Sequence, residues 1–308
     1  MEVKPPLPDT MKSRQKAPAF ALRHVGMEGI AVPVIIPNAT GADVHVNATA
    51  DVFVGLDKPF TRGIHMSRLY RELVNFLAQR PVTGETLRDF NNILSDSQEG
   101  LSDTSSVCLN FKLPVKKPAL ISSMYGYQYY PISIHSQAGS NGAKTTISLE
   151  VPYSSTCPCS AQLSRQAMSD AVDQTFPEEK LNKRDILNWL SSEEGSVATP
   201  HSQRSFAYIT VELTNGLVPD LLVLIQGIED ALGTPLQTAV KRQDEQSFAK
   251  LNARNLMFCE DAGRKVKQFL EDRSDLADYW FKIEHQESLH PHNAVVIDYK
   301  KDRHVIPI

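Results

Sequence analysis

The 308-residue sequence contains no long apolar run, only four cysteines and no excess of positive charge. No stretch approaches the ~18–20 apolar residues of a membrane helix, so we expect no membrane span. Four cysteines do not form a secreted disulfide framework in a chain of this length, which favours a reducing cytoplasm. A net charge of −4 gives no general attraction for nucleic acid, so an anionic ligand needs a local group of cations.

Three common functional motifs are also missing from the sequence. It contains no Gly-x4-Gly-Lys-Ser/Thr loop, no Gly-x-Gly-x2-Gly fingerprint and no Gly-x-Ser-x-Gly elbow. These absences argue against P-loop binding of a nucleotide, a Rossmann dinucleotide site and a serine-hydrolase nucleophile.

The apolar pattern predicts an α+β protein in which the order strand-strand-helix-helix-strand-strand occurs twice. Alternating apolar residues over 44–54 predict a strand, and helical spacing over 66–77 predicts a helix that stops before Pro81. We predict a flexible, proline-rich arm over residues 1–22, a first ββααββ unit over 23–140 and a second over 141–308. Two further helical patterns, at about 161–199, interrupt the second unit between its first two strands.

Polar residues that can carry chemistry are concentrated in five short stretches, although each stretch alone is a weak signal. Together they supply thiol, imidazole and carboxylate groups, spare histidines and several cations, which suits hydrolysis of a charged nucleotide. The stretches are Arg62–Arg68, Ser155–Ser160, His201–Ser205, Lys241–Glu245 and Glu287–Ala294.

Cys157, His201 and Glu245 are the candidate metal ligands. Three protein ligands leave a coordination position for water, which is typical of catalytic metal sites. The mixed donor set suits zinc, manganese or Fe(II), one ion per subunit. Each residue also has a simpler reading. Cys157 and Cys159 can be small buried apolar residues, His201 a polar residue before a strand, and Glu245 a surface charge.

Four further residues are candidates for proton transfer and base recognition. Glu260 opens a predicted helix, where a negative charge is favourable in any case, and it can also shuttle a proton. Glu287 lies between the last two predicted strands and can accept the N1–H and 2-amino hydrogens of guanine, or be an ordinary loop charge. His290 and His292 can transfer protons or simply line the loop, and in an extended segment they would face opposite ways.

A triphosphate would need several cations, because the chain as a whole is acidic. The start of the first predicted helix offers free N–H groups, although a serine cap and solvated cations explain it equally well. The residues that suit phosphate oxygens are Arg62, His65, Ser67, Arg68, Arg204, Lys241 and Arg242.

The five stretches, in this order, resemble GTP cyclohydrolase of type IB, the prokaryotic alternative to the common zinc-dependent type I enzyme. The resemblance extends from about Val32 onward and rests on Gly-Ile-His-Met-Ser-Arg, Cys-Pro-Cys-Ser, His-x-Gln-Arg-Ser, Lys-Arg-x-Asp-Glu and Glu-Ser-x-His-x-His-Asn-Ala. It implies the tunnelling fold, whose unit is ββααββ, here in tandem. It also implies a cytoplasmic homotetramer with active sites at subunit interfaces and no nucleic-acid partner.

The resemblance implies that GTP and water give formate and 7,8-dihydroneopterin triphosphate, the first step of tetrahydrofolate synthesis. Two departures are visible: a long interval between Cys157 and His201, and Cys259 where a β-branched residue is expected. Carried over by position, the resemblance implies metal ligands Cys157, His201 and Glu245, with Cys157 also in the catalytic centre, acid/base Glu260, guanine anchor Glu287, and active-site histidines His290 and His292.

Two alternatives remain open at this point. Another tunnelling-fold enzyme, a 7-deazaguanine nitrile reductase, would use Cys157 or Cys159 as an activated nucleophile together with NADPH. A non-catalytic nucleotide-binding ring would use the metal only for structure and would show no turnover.

Overall fold

Eight strands form one antiparallel sheet in a computed structural model that describes residues 19–39, 41–140 and 142–301. Each strand pairs with its neighbour in the chain, so the sheet follows the sequence order from β1 to β8. Residues 1–18 of the predicted arm lie outside the described residues. The strands are β1 (Leu22–Ile36), β2 (Val44–Leu56), β3 (Ser105–Pro118), β4 (Tyr125–Gly139), β5 (Gly142–Thr156), β6 (Ser202–Leu213), β7 (Leu276–His285) and β8 (Ala294–Tyr299).

Seven α-helices connect these strands in the described part of the chain. They are α1 (Met66–Asn75), α2 (Gly84–Asp96), α3 (Pro158–Thr175), α4 (Lys183–Leu190), α5 (Leu221–Leu232), α6 (Arg242–Arg254) and α7 (Cys259–Glu271). The first repeat therefore has the order β1-β2-α1-α2-β3-β4. The second has the same order of strands, β5-β6 and β7-β8, with α5 and α7 between the two pairs and with additional helices. The predicted α+β fold with two tandem ββααββ units is confirmed. None of the described helices is long and apolar enough to cross a membrane.

The second repeat differs from the prediction in two places. Besides the four predicted helices α3, α4, α5 and α7, it contains α6, which the apolar pattern does not predict because the segment is mostly polar. Helix α3 begins at Pro158 rather than at Ala161, since proline is well suited to the first turn of a helix. This earlier start makes Cys157 the N-cap and puts Cys159 in the first turn. The boundary predicted at residues 140 and 141 falls between the end of β4 and the start of β5.

The apolar core lies between one face of the sheet and helices α1, α2, α5 and α7. It is contributed by alternate strand residues and by the inward sides of the helices, including Val52, Val107, Ile134, Ile147, Val211, Leu69, Phe90, Leu224 and Val266. The opposite face of the sheet borders a cavity of about 1480 Å³, lined by residues such as Asn47, Lys112, Tyr129, Glu150 and Lys282. The helices therefore cover one face, and the other carries polar and aromatic side chains.

The two repeats separate at one end of their shared sheet. The β4–β5 ladder stops at Ile132 and Leu149, although β4 begins at Tyr125 and β5 continues to Thr156. Residues 234–241, which we call the fork segment, run between the separated strands. The Ser154 N–H donates to the Thr234 carbonyl at 2.9 Å, and a Cβ added at Gly126 would lie 2.6 Å from Thr238 Oγ1. Gly126 thus allows the fork segment to approach β4 closely.

A buried polar group also joins the repeats. The Glu229 carboxylate on α5 is fully buried and accepts hydrogen bonds from Lys117 on β3 and Tyr130 on β4. Burial, together with the Glu229 charge, raises the pKa of Tyr130. A buried carboxylate is tolerated only when it is paired in this way, so the group fixes the position of α5 against the first repeat.

Candidate functional site

Cys157 and His201 lie at adjacent ends of β5 and β6, despite the long interval between them in sequence. The Cys157 N–H donates to the His201 carbonyl at 3.3 Å, which extends the ladder beyond the pair Thr156–Ser202. Helices α3 and α4 leave the sheet at Cys157 and return to it at His201. The His201 N–H also donates to Ser160 Oγ at 3.1 Å, so the first turn of α3 is fixed to the returning chain.

The His201 ring is oriented by two neighbours. Its Nδ1 lies 3.1 Å from Gln203 Oε1 and 4.0 Å from Glu287 Oε2. Because an amide oxygen only accepts hydrogen bonds, the Gln203 contact favours the tautomer of His201 with its proton on Nδ1. The Nε2 atom of His201 then carries the free electron pair. Metal-binding histidines commonly have their second nitrogen held in this way.

Glu287 and the two following histidines lie in the loop between β7 and β8. Glu287 is half-buried beside His201, whereas His290 and His292 are exposed. The two histidine rings stack with centroids 5.1 Å apart and planes 7° apart. The loop is therefore bent, and the rings share one side rather than facing opposite ways as they would in an extended segment.

The start of α7 presents Glu260 at the surface and Cys259 toward the interior. Asp261 accepts a hydrogen bond from the Phe258 N–H at 3.0 Å and so caps the helix, which leaves the Glu260 carboxylate uninvolved in this cap. The Cys259 thiol lies 3.4 Å from the Ala294 carbonyl, and burial raises its pKa to about 11. A thiol with this pKa is unreactive near neutral pH, so Cys259 fits the role of a bystander.

A buried histidine that the sequence pattern did not single out lies beneath these residues. His285 Nε2 is 2.8 Å from the Tyr153 hydroxyl, and its Nδ1 is 3.3 Å from Ser155 Oγ. Ser155 Oγ is in turn 2.8 Å from Ser205 Oγ, so the network joins β5, β6 and β7. Burial lowers the pKa of His285 to about 4, although the Glu260 charge opposes this shift. The detectable signal was a run of polar residues at core-facing strand positions.

Helix α6 carries the remaining candidates of the second repeat. Lys241 is its N-cap, and the side chains of Lys241, Arg242 and Glu245 are all exposed. The helix runs beside β5, where Ser154 Oγ donates to Asn252 Oδ1 at 2.7 Å. Glu245 lies two turns before Asn252, roughly 10 Å along the helix axis.

The candidate metal ligands are only partly brought together within one chain. Cys157 and His201 are neighbours, but the described residues include no group of three or more His, Cys, Asp or Glu side chains arranged to hold a metal ion. The donor chemistry nevertheless suits a borderline divalent metal. Cys157 is a free, half-buried thiol, and His201 has its Nε2 available.

The candidate phosphate contacts of the first repeat lie at the start of α1. His65 is the N-cap, and Ser67 and Arg62 are exposed. Arg68 donates to the Ser97 carbonyl and to the Glu99 carboxylate, the latter at 2.8 Å, so these bonds fasten α1 to the end of α2. In the second repeat, the Arg204 side chain is exposed on β6 close to Cys157 and His201 in the ladder.

Comparison with known proteins gives the family. The profile of type I GTP cyclohydrolase folE2 matches residues 7–296. A protein named GTP cyclohydrolase FolE2 from Pseudoalteromonas atlantica is 51% identical, over 96% of both chains. Another with this name, from Hahella chejuensis, is 48% identical over 97% of this chain and 98% of that protein. These matches define an enzyme of the GTP cyclohydrolase I type, and they confirm the predicted function. The chain belongs to the type I GTP cyclohydrolase FolE2 family.

Solved structures with a related chain path have very different sequences. Uricase from Arthrobacter globiformis is 7% identical over 95% of this chain and 99% of its own, with a TM-score of 0.48. Urate oxidase from Bacillus sp. TB-90 is 9% identical over 91% of this chain and 100% of its own, with a TM-score of 0.46.

Proposed function

We propose that the chain hydrolyses GTP at C8 of the guanine to give formate and 7,8-dihydroneopterin triphosphate. We propose further that it is a GTP cyclohydrolase of type IB. Family membership supports the reaction class. The observation that carries the assignment to this site is the backbone hydrogen bond from the Cys157 N–H to the His201 carbonyl at the ends of β5 and β6, together with Glu287 Oε2 lying 4.0 Å from His201 Nδ1. Thiol, imidazole and carboxylate groups are thus placed at one end of the sheet.

One divalent metal per subunit, either zinc, manganese or Fe(II), would be held by Cys157, His201 and Glu245. When bound, it would act as a Lewis acid that makes hydroxide available near neutral pH. Gln203 would keep the proton of His201 on Nδ1, so that Nε2 faces the ion. Cys159, exposed in the first turn of α3, would remain outside the ligand set.

Glu287 would select guanine. Its carboxylate can accept hydrogen bonds from both N1–H and the 2-amino group, and partial burial strengthens such bonds relative to those made in water. Because Glu287 lies beside His201, a guanine held there would lie next to two of the groups of the proposed centre, His201 and Cys157.

Glu260, His290 and His292 would move protons. Opening the imidazole ring, hydrolysing the formamide and closing the pterin ring each require proton transfers, so several titratable groups near one centre are expected. Cys157 contributes to this centre as a ligand, whereas the nitrile-reductase alternative would require it as a nucleophile.

The triphosphate would be held by cations and donors from both repeats. Arg204 lies close to Cys157 and His201 in the β5–β6 ladder, whereas Arg68 of α1 makes its contacts within the first repeat. We therefore propose a homotetramer in which α1 of one subunit completes the site of another. We also propose that the enzyme works in the cytoplasm, where it catalyses the first step of folate synthesis. The residues concerned are His65, Ser67, Arg68, Arg204, Lys241 and Arg242.

A reconstitution experiment tests this function. Metal-free protein is incubated with GTP and with zinc, manganese or Fe(II), and pterin fluorescence after oxidation and released formate are measured. We expect both products in at least one arm, with loss of both on adding EDTA. Turnover that needs NADPH and survives EDTA would support the reductase alternative, and metal binding without products in any arm would support the non-catalytic ring.

A further inference from the structure

Asp244, in the first turn of α6, is a fully buried carboxylate with four hydrogen bonds. Its Oδ1 accepts from the N–H groups of Ile121 and Ser122, each at 2.8 Å. Its Oδ2 accepts from Ser122 Oγ at 2.6 Å and from the Lys241 N–H at 2.8 Å. Three of the four donors belong to the turn between β3 and β4, in the first repeat.

Capping a helix does not require such an arrangement. Asp261 occupies the equivalent third position of α7 and accepts the Phe258 N–H at 3.0 Å, yet it is partly exposed and its ion pair is with Arg264 of its own helix. Asp244 performs the same capping through the Lys241 N–H and, in addition, binds a turn that lies more than one hundred residues earlier in the chain.

The position of this bond network is functionally relevant. The fork segment runs between the separated ends of β4 and β5 and leads directly into α6. Lys241, Arg242 and Glu245 all lie within three residues of Asp244, and all three side chains are exposed. The hydrogen bonds of Asp244 hold the start of α6, and therefore the backbone from which these three side chains extend, against the β3–β4 turn.

We propose that Asp244 is a positioning residue that fixes the start of α6 against the β3–β4 turn and thereby directs Glu245, Lys241 and Arg242 toward the catalytic centre. This inference rests on the proposed function, because it assumes that Glu245 is a metal ligand. Residues that orient a ligand without touching the metal typically change metal affinity or activity by about 10- to 100-fold when they are replaced.

A matched pair of variants separates positioning from stability. Asp220 caps α5 through the Leu222 and Val223 N–H groups and also accepts the Ala39 N–H at 3.1 Å from the β1–β2 turn. It thus has the same two kinds of contact as Asp244, with no proposed site residue beside it. Asp244→Asn and Asp220→Asn each place an amide –NH₂ where an acceptor stood. Because Asp220 is only partly buried, we expect a smaller decrease in melting temperature in Asp220→Asn, so metal binding is measured well below both melting temperatures.

Metal affinity, measured by competition with a chromogenic chelator, should distinguish the two variants. We expect Asp244→Asn to weaken binding about tenfold or more and to raise the KM for GTP, with kcat recovering at saturating metal. Asp220→Asn should leave metal affinity within about twofold. Equal metal affinities in the two variants, each measured while fully folded, would overturn the inference.

Two further variants guard against ambiguous results. Ser122→Ala removes one of the four bonds and should weaken metal binding by a smaller factor. This variant replaces Asp244→Asn in the experiment if Asp244→Asn does not fold. In that case, unchanged metal affinity in Ser122→Ala would overturn the inference. Glu245→Gln tests the ligand itself. If Glu245→Gln keeps wild-type metal affinity, the proposed ligand set is wrong, whereas loss of metal in Glu245→Gln but not in Asp244→Asn removes only the positioning role.

Discussion

The two repeats have the same order of strands and helices but use their polar residues differently. In the first repeat, Arg68 fastens α1 to the end of α2 through Ser97 and Glu99. In the second, polar groups gather where strands end: Cys157 and His201 at the ends of β5 and β6, and Glu287 after β7. The second repeat also contains the inserted helices α3 and α4 and the additional helix α6.

This difference indicates how one architecture accommodates chemistry. The recorded contacts of the first repeat stabilise helices and turns, and its β3–β4 turn supports α6 through Asp244. The second repeat keeps its candidate side chains half-buried or exposed at strand ends and loops, where a substrate can reach them. The first repeat therefore serves largely as a scaffold for the second within one chain.

The largest expected effect is on metal binding and turnover, and it compares a cysteine of the second repeat with one of the first. We expect Cys157→Ala to abolish metal binding and reduce turnover to background, because it removes a proposed ligand. Cys108→Ala in β3, where the thiol lies 3.3 Å from Ser133 Oγ, should leave metal content unchanged, and Cys159→Ala should have a mild effect. Metal content and turnover are measured on the same preparations. Wild-type metal content in Cys157→Ala would remove Cys157 from the ligand set.

The next effect compares two glutamates in first turns of helices. Glu260 opens α7, and Glu85 occupies the first turn of α2. Each replacement by alanine should cost up to ~1 kcal/mol of helix-dipole energy. Only Glu260→Ala should also reduce turnover by about 10²-fold or more, with metal and GTP binding retained, as expected for a positioned acid or base. Full activity would return Glu260 to the role of a helix-start charge, and loss of metal would make it a ligand.

A smaller effect is expected at the proposed guanine anchor. Glu287→Gln places an amide donor opposite the donors of guanine, a mismatch that costs ~1–3 kcal/mol. We expect a corresponding rise in KM for GTP with unchanged metal content, measured by initial rates and metal analysis. Unchanged KM would show that Glu287 is not the guanine anchor.

The last effect concerns stability rather than activity, and is a pH dependence located in the second repeat. Folded His285 stays neutral down to about pH 4, whereas an imidazole in the unfolded chain is protonated near 6.5. Between these values the unfolded state binds more protons, so lowering the pH should reduce the free energy of unfolding by up to ~1.4 kcal/mol per pH unit. Denaturation of His285→Gln across pH 4–7 should show a shallower slope, and an identical slope would contradict the buried neutral state.

Alternation of apolar residues predicted four of the strands, β2, β3, β5 and β6, because each has one face on the core. The other four, β1, β4, β7 and β8, were predicted from less regular apolar and aromatic segments. Helices α1, α2, α5 and α7 followed from their apolar spacing, and α5 ends at Gly233, which has a left-handed φ of 84°. Helix α6 could not be predicted in this way, because its position depends on contacts of Asp244 and Asn252 with residues distant in sequence.

The candidate site was predictable to a different extent. The short stretches identified Cys157, His201 and Glu287, which the structure brings close together. The separation of β4 from β5 and the buried network around His285 depend on pairing between strands, which no local pattern records. Whether Glu245 and the α1 residues join the same centre stays a prediction, because the recorded contacts of a single chain do not connect them.

The separation of β4 from β5 has a consequence for the order of folding. Every ladder in the sheet joins strands adjacent in sequence. Four of the seven ladders, β1–β2, β3–β4, β4–β5 and β7–β8, close only short loops, and such local pairings form quickly. The fork segment and α6 instead depend on partners far along the chain, since Asp244 binds Ile121 across 123 residues and Thr238 Oγ1 donates to the Lys117 carbonyl across 121. We expect the sheet to form first and the fork to close last. Under native conditions the same region should open before the rest, so that its amides exchange with solvent through local opening while the strands remain protected.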